Sequence, residues 1–459
     1  MKKGLIILFV LFFSINTWAS DNKDKLMRAF DVLAKGDDGQ AISSETVFQI
    51  FSDVYLSTDS SKRKRKREEH KIAEYGLAIC FYKGFGIKQN YSAAISHFKS
   101  LTIEVGLRID SDYYAELQYF RYCMFGTRAI GIRRNDYIIP FHECYLWSDA
   151  HFFLGECYYY GLGTDRNPER AISEYSWSKF SSSQAIINTG ILLLDGFGEK
   201  WSETYKSEIF RSIEVEANND NTDAQYILGH LCLEGIGCPQ DTLIAISNFE
   251  KSANKGKAEA MYKLVHDFYK PYDSKYKDDD KAFMYTTMLA IIGNSYSQYD
   301  LGLYYDKGIG TEKNEDVAFY WFEKAAGGGC PDAILVMGDM YYNGVNVQKD
   351  DNKALTYYLN YLQHQFDKNP LDNTIVIRLN FVESKIGDIY YEGQNYNKAV
   401  KYYQKAANAN QITAKSAKNF ALCHKWGYGG LTPSDKKCEE WLQKAAQLGS
   451  EDALEILSN

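Results

Sequence analysis

Proline is nearly missing from this chain, with 7 copies in 459 residues. Aromatic content is 15%. Few prolines and many rings exclude a disordered linker and a β-rich, turn-dense fold. Positive charge is short as well. Lys and Arg number 52 against 60 Asp and Glu, a formal net charge of −8, which makes a poor general binder of nucleic acid or anionic membrane. The nine cysteines include no CxxC spacing, so neither a redox motif nor a zinc ribbon is indicated. No HExxH, nucleophile elbow, Ser-His-Asp order or distinct pair of catalytic carboxylates is present. No catalytic residue, metal or cofactor is implied.

Long apolar runs are also missing, apart from one. Lys2 and Lys3 precede LIILFVLFF, which breaks at Ser14 and Asn16 and leads to Thr17-Trp18-Ala19. That is the order of a secretory signal peptide, residues 1–19. A retained anchor is the alternative, although the run is short for a full span. No Cys follows it, which argues against a lipoprotein. The short, Lys-led signal has a bacterial look, so the expected location is the periplasm or outside the cell, with no membrane span after cleavage. Cleavage removes two lysines and no acids, so the charge goes from −8 to −10.

What the chain has is tyrosine, 37 copies of it, and a repeat. Segments aligned on a small residue begin at Ala73, Ala115, Ala150, Ala185, Ala224, Ala260, Ser297, Ala333, Val382 and Ser416. Most of the intervals lie in the mid-thirties, which means stacked supersecondary units and not separate domains. In the unit at Ser297, Leu301, Gly302 and Tyr305 share one helix face with Ser297. Gly302 has no β-carbon, so a neighbouring helix can approach there. Gly308 suits the left-handed residue that ends a helix, and Gly310 lets the chain reverse. The charged TEKNED stretch then opens a second helix carrying Ala318, Phe322 and Ala325-Ala326. Each unit therefore reads as helix, glycine turn, helix.

These units resemble the Sel-one-like repeat (SLR), an α/α unit related to the tetratricopeptide repeat. The Ser297 unit carries Leu301-Gly302, Tyr305, Gly308, Gly310, Trp321-Phe322, Lys324-Ala325-Ala326 and Gly329; the last unit keeps Gly427, Gly429, Trp441, Lys444-Ala445-Ala446 and Gly449. The resemblance covers about residues 70–455 and implies an all-α fold, an α/α solenoid over 71–459 of about ten units. Irregular units are expected near 126–149 and 268–281, with a non-repeat insertion at 361–381 around Asn369-Pro370. Residues 20–70 read as an N-terminal helical cap and charged linker.

Other clusters have plainer readings. The GIG and GLG turns lack the strand and third glycine of a dinucleotide fingerprint. Lys62 to Arg67 alternate Lys and Arg and run into Glu68-Glu69; a solvated helix start or linker is favoured, with an acidic partner or anionic lipid as the alternative. His142-Glu143-Cys144 has metal-capable groups but no further ligand at a suitable spacing. His151 and His424 read as packing or surface groups. Two cysteine pairings are open, Cys423 with Cys438 across a hairpin and Cys232 with Cys238 across a turn. Reduced buried thiols are the alternative for each.

By analogy with tetratricopeptide repeats, first helices line a concave groove. Residues two before, five after and six after the repeat Leu would face it. Those positions give Tyr75, Tyr226 and Tyr299; Tyr82, Tyr159, Tyr342, Tyr391 and Asp306; and Tyr160, Lys307, Glu392 and Trp426. Tyrosine offers a rigid contact area with a polar tip, so a tyrosine-lined protein-binding groove is expected, with packing between units as the alternative. The resemblance implies a non-catalytic periplasmic protein-binding scaffold. Exported relatives include immunity proteins that neutralise secretion-system toxins such as lipases; an envelope protein is another class of partner. The enzymatic alternative is a cell-wall or β-lactam-directed hydrolase.

Overall fold

The computed structural model describes residues 22–35, 42–58, 64–103, 145–178, 182–270, 274–366, 373–408 and 412–458. Every regular element among them is helical. The signal segment, the unit at Ala115, Lys62-Arg63, His142-Glu143-Cys144 and Asn369-Pro370 lie outside these residues. Among the described residues no helix is long and apolar enough to cross a membrane.

The chain divides into two compact units, one ending at Lys257 and one starting at Ala258. The first unit holds α1 (Asn22–Lys35), α2 (Ser44–Thr58), α3 (Lys64–Lys83), α4 (Tyr91–Ile103), α5 (Tyr145–Tyr160), α6 (Pro168–Ser178), α7 (Ser183–Leu194), α8 (Glu203–Asn218), α9 (Thr222–Glu234) and α10 (Thr242–Asn254). The second holds α11 (Ala258–Lys263), which runs into a π-helix (Leu264–Tyr269), then α12 (Asp279–Ile291), α13 (Ser295–Lys307), α14 (Glu315–Gly327), α15 (Pro331–Asn343), α16 (Asp351–Phe366), α17 (Asn373–Glu392), α18 (Tyr396–Asn408), α19 (Ala414–Trp426), a 3₁₀ turn (Tyr428–Gly430), α20 (Asp435–Gln447) and α21 (Glu451–Ser458). Each unit is a stack of antiparallel helix pairs, an α/α solenoid. Of the repeat starts read from sequence, Ala73, Ala150, Ala185, Ala224, Ala260, Ser297, Ala333, Val382 and Ser416 each lie on the first helix of a pair and are buried.

The hairpins close because of glycine. A β-carbon on Gly302 of α13 would stand 2.6 Å from the Phe322 ring of α14. The same approach recurs between Gly155 and Tyr175, Gly229 and Phe249, Gly338 and Tyr358, and Gly387 and Tyr403. Each glycine gives up roughly 1 kcal/mol of helix propensity and admits a whole aromatic ring into the seam, a burial worth about 2 kcal/mol. The second turn glycine joins one hairpin to the one before it. Gly237 adopts φ 72°, and a β-carbon there would stand 2.5 Å from the Lys206 carbonyl in the first turn of α8. Second helices begin on side-chain caps, among them Asp241 to the Ile244 amide and Asn314 to the Val317 amide, each worth about 1 kcal/mol.

The irregular places follow the same logic. The unit at Ala260 has no glycine in its first helix, and the chain there widens to a π-helix in which the Lys270 amide reaches back to the Val265 carbonyl. The segment 361–381 reads from sequence as an insertion, yet its flanks prolong α16 to Phe366 and begin α17 at Asn373. Lys64 to Arg67 form the first turn of α3.

Candidate functional site: the first-helix surface

Three hairpins carry a carboxylate directly after the packing glycine, and each of these faces a tyrosine. Tyr175 donates to Glu156 at 2.6 Å, Tyr358 to Asp339 at 2.6 Å, and Tyr403 to Asp388 at 2.8 Å. Where the second-helix ring is phenylalanine, the same place holds His230 (facing Phe249) or Leu303 (facing Phe322). A buried hydroxyl needs a partner and a buried benzyl ring does not, so the two positions go together.

The following first helix completes each cluster. Asn188 of α7 donates to Glu156 at 2.9 Å, Lys385 of α17 to Asp339 at 2.5 Å, and Asn419 of α19 to Asp388 at 3.0 Å. These donors occupy the same place in their own repeats, three residues after the small starting residue. The acid thus ties its own hairpin to the next one. Asp388 is the most enclosed of the three. It also accepts from Ser416 at 2.9 Å and from Tyr342 at 3.3 Å. Burial pushes its carboxyl above the ordinary range, and the bonds from Tyr403, Ser416 and Asn419 pull against that. Glu156 is pushed up by burial in the same way.

On the open side of this cluster Lys415 bonds Glu392 at 2.6 Å and the Tyr342 hydroxyl at 3.2 Å. Lys349 bonds Glu392 at 3.2 Å. Both ammonium groups lie over the Tyr342 ring, at 5.2 and 5.9 Å from its centre. Burial would raise the Glu392 carboxyl, but the two lysines outweigh it and hold it below its ordinary value. Further pairs run between first helices: Asp332 with Arg378 at 2.5 Å, Lys270 with Asp300 at 2.7 Å, and Lys418 of α19 with Asp452 of α21.

The predicted groove residues fall into two classes. Tyr75 requires correction: it is fully buried, and its hydroxyl donates to Asp149 at 3.1 Å. Its place on α3 faces α5, so the ring is sealed between helices and cannot meet a partner. Tyr82 is half-buried against Tyr91, Phe98 and Phe153. Tyr226 packs on His230 and Phe249, Tyr299 on Phe322, and Tyr391 on Tyr396 and Tyr403. Tyr159 lies half-buried beneath Arg166, and Tyr342 is engaged as described. Asp306 is half-buried. Lys307, Tyr160 and Trp426 are open to solvent, the last two at 60% exposure. Glu392 is exposed but held by its lysines.

Five exposed rings escaped the sequence reading: Tyr262 on α11, Tyr296 on α13 and Phe381 on α17, all first helices, and Trp177 on α6 and Tyr320 on α14, both second helices. The acid clusters escaped it too, although the pairing of an acid after glycine with tyrosine in the second helix is visible in the sequence. His151 is buried and pairs with Glu174 at 2.5 Å, and His424 packs against Phe420. Cys232, Cys238, Cys423 and Cys438 are free thiols, and all but Cys238 are buried.

The Sel1 repeat family matches residues 71–101, 148–173, 222–257, 295–330, 331–359, 383–411 and 415–450. This is a Sel1-repeat protein. Sel1 repeats typically mediate protein–protein interaction, and the family is generally a non-catalytic scaffold. The chain is 33% identical over 89 residues to the chitin synthase regulator SKT5 of Saccharomyces cerevisiae, covering 19% of this chain and 13% of that protein. It is 26% identical over 257 residues to an uncharacterised protein of Neisseria meningitidis serogroup B, covering 54% of this chain and 50% of that one. The chain thus spans half or less of the length of these curated relatives. Among solved structures, a protective antigen of uropathogenic Escherichia coli with an SLR fold aligns at TM-score 0.49 and 18% identity, over 88% of this chain and 80% of that one. A Sel1 repeat protein from Oxalobacter formigenes aligns at TM-score 0.35 and 22% identity, over 58% of this chain and 98% of that one.

Proposed function

We propose that this Sel1-repeat protein is an exported, non-catalytic scaffold that holds a protein partner on its first helices. One observation carries the reading. Tyr160, Tyr262, Tyr296 and Trp426 stand at least half exposed on first helices, in hairpins whose seams are already closed by other side chains. Rings left in water on the surface that lines a repeat groove are what a partner would cover. The acidic carboxylates nearby are held by tyrosine, asparagine and lysine donors, so they brace the repeats. The signal-like first 19 residues support export to the periplasm. The acidic charge and export together support the narrower form, an immunity protein that neutralises a delivered toxin.

The test has two arms. Mature protein recovered from a bacterial expression host should begin at Ser20; recovery of the uncleaved chain from the cytoplasm would remove the export reading. Mature protein used as bait in an envelope extract from the source cells should retain a partner. A Tyr296→Ala, Trp426→Ala double variant, both changes within the second unit, of unchanged melting temperature should lose most of it. Equal retention by the variant would place binding elsewhere.

A further inference from the structure

The turn between α9 and α10 lacks a contact that three other hairpins have, and carries two cysteines in its place. In three other hairpins a tyrosine near the end of the first helix is covered by a cation from the second. Arg170 lies 5.6 Å over Tyr158, Lys353 4.8 Å over Tyr341, and Lys398 4.9 Å over Tyr390. That contact, worth about 0.5–2 kcal/mol, clamps the ends of the two helices together. In the hairpin of α9 and α10 the two places hold Cys232 and Ile244, so the clamp cannot form.

A second cysteine sits in the same turn. Cys232 is buried at the end of α9. Cys238 follows Gly237, is only half-buried, and lies with its sulfur 3.7 Å from the Leu231 carbonyl. That carbonyl belongs to the residue just before Cys232, so the two thiols lie at the same end of α9.

We propose that Cys232 and Cys238 are a reversible disulfide site, closed by a small-molecule disulfide, which covalently replaces the missing cation–ring clamp. The more accessible Cys238 thiolate attacks one sulfur of the oxidant, forming a mixed disulfide and releasing one thiol. The Cys232 thiolate then attacks the Cys238 sulfur, forming the internal bond and releasing the second thiol. Two electrons pass to the oxidant; the two protons lost from the cysteines end on the released thiols. Closure fixes the turn that carries Gly237, the residue docked on the Lys206 carbonyl of α8, and so stiffens the joint between two repeats. Burial holds both thiols above their ordinary value, Cys232 at about 12, and the neighbouring Glu214 and Asp241 add to this. Closure should therefore speed up as pH rises.

The site is independent of the partner reading. The test is peptide mapping of the full-length native protein after incubation with oxidised glutathione, followed by denaturation and alkylation. The expected result is one cross-linked species joining the Cys232 and Cys238 positions, reopened by dithiothreitol. In Cys232→Ala the glutathione should remain on Cys238, and Cys238→Ser should show no cross-link at this turn. Alkylation of both residues in the treated native protein, or an unmodified Cys238 in Cys232→Ala, would overturn the proposal.

Discussion

The Tyr403 hydroxyl donates to Asp388 across 2.8 Å, while the ring of the same tyrosine fills the space where a β-carbon on Gly387 would stand. Shape and hydrogen bonding are thus satisfied by one side chain. Glycine admits the ring, and the next residue receives its hydroxyl.

That coupling can be tested by transplanting it. Phe322→Tyr should destabilise the protein by about 1–3 kcal/mol, because its new hydroxyl would meet Leu303 with no acceptor. Adding Leu303→Asp should recover much of the loss. In the reverse direction, Tyr358→Phe should cost about 1–2 kcal/mol by leaving Asp339 short of a donor. Urea unfolding of the single and double variants checks both, and additive effects of Phe322→Tyr and Leu303→Asp would show that the two positions are not coupled.

Two glycines of one hairpin should respond to alanine with opposite signs. Gly302→Ala places a methyl 2.6 Å from the Phe322 ring and should cost about 1–3 kcal/mol by overpacking. Gly327, at the end of α14, has ordinary helical φ, and a methyl there would meet nothing within 4 Å. Alanine at this position should stabilise by up to ~1 kcal/mol. Thermal melts of the two variants separate packing from propensity.

Tyr342 and Tyr160 should behave differently despite their neighbouring places in the repeat. Tyr342 bonds Asp388 and Lys415 and lies under two lysines, so Tyr342→Ala should lower stability by about 1–3 kcal/mol. Tyr160 is mostly in water, and Tyr160→Ala should fall within about 0.5 kcal/mol of the parent. A large melting shift for Tyr160→Ala would mean that it braces its repeat.

The two acids near Lys415 predict opposite pH trends. Glu392 is held below its ordinary value of 4.5. Its stabilising effect is complete above that value and is lost as pH falls through the lowered one. Asp388 is raised above its ordinary value of 3.8, so between the ordinary and raised values the folded state binds more protons than the unfolded one. Stability from this group grows as pH falls through that window. Chemical denaturation of Glu392→Gln and Asp388→Asn across the acid range checks the signs: the first should flatten the loss at low pH, and the second should remove the gain.

Much of the fold was legible in the sequence. Ala150, Ala224 and Ser297 marked first helices because a small residue, Leu and Gly on one helical face serve close packing. The pairing of Glu156, Asp339 and Asp388 with tyrosines could also have been read, since each follows a glycine five residues after its repeat start, the place Gly302 holds in its own unit. The groove was less legible. A tyrosine at a groove position can pack among other rings, as Tyr82 does, or stand in water, as Tyr160 does, and spacing does not distinguish them.

The sequence alone therefore determined the repeat, its helices and its turns, because these depend on local periodicity and on glycine's missing side chain. Tertiary structure alone decided which rings stay exposed, that Tyr75 is sealed inside, and that Asp388 collects donors from the first helices on either side of its own and from one second helix. Those outcomes depend on the offset between neighbouring hairpins, which is set by contacts between residues far apart in the chain, such as Tyr342 and Asp388.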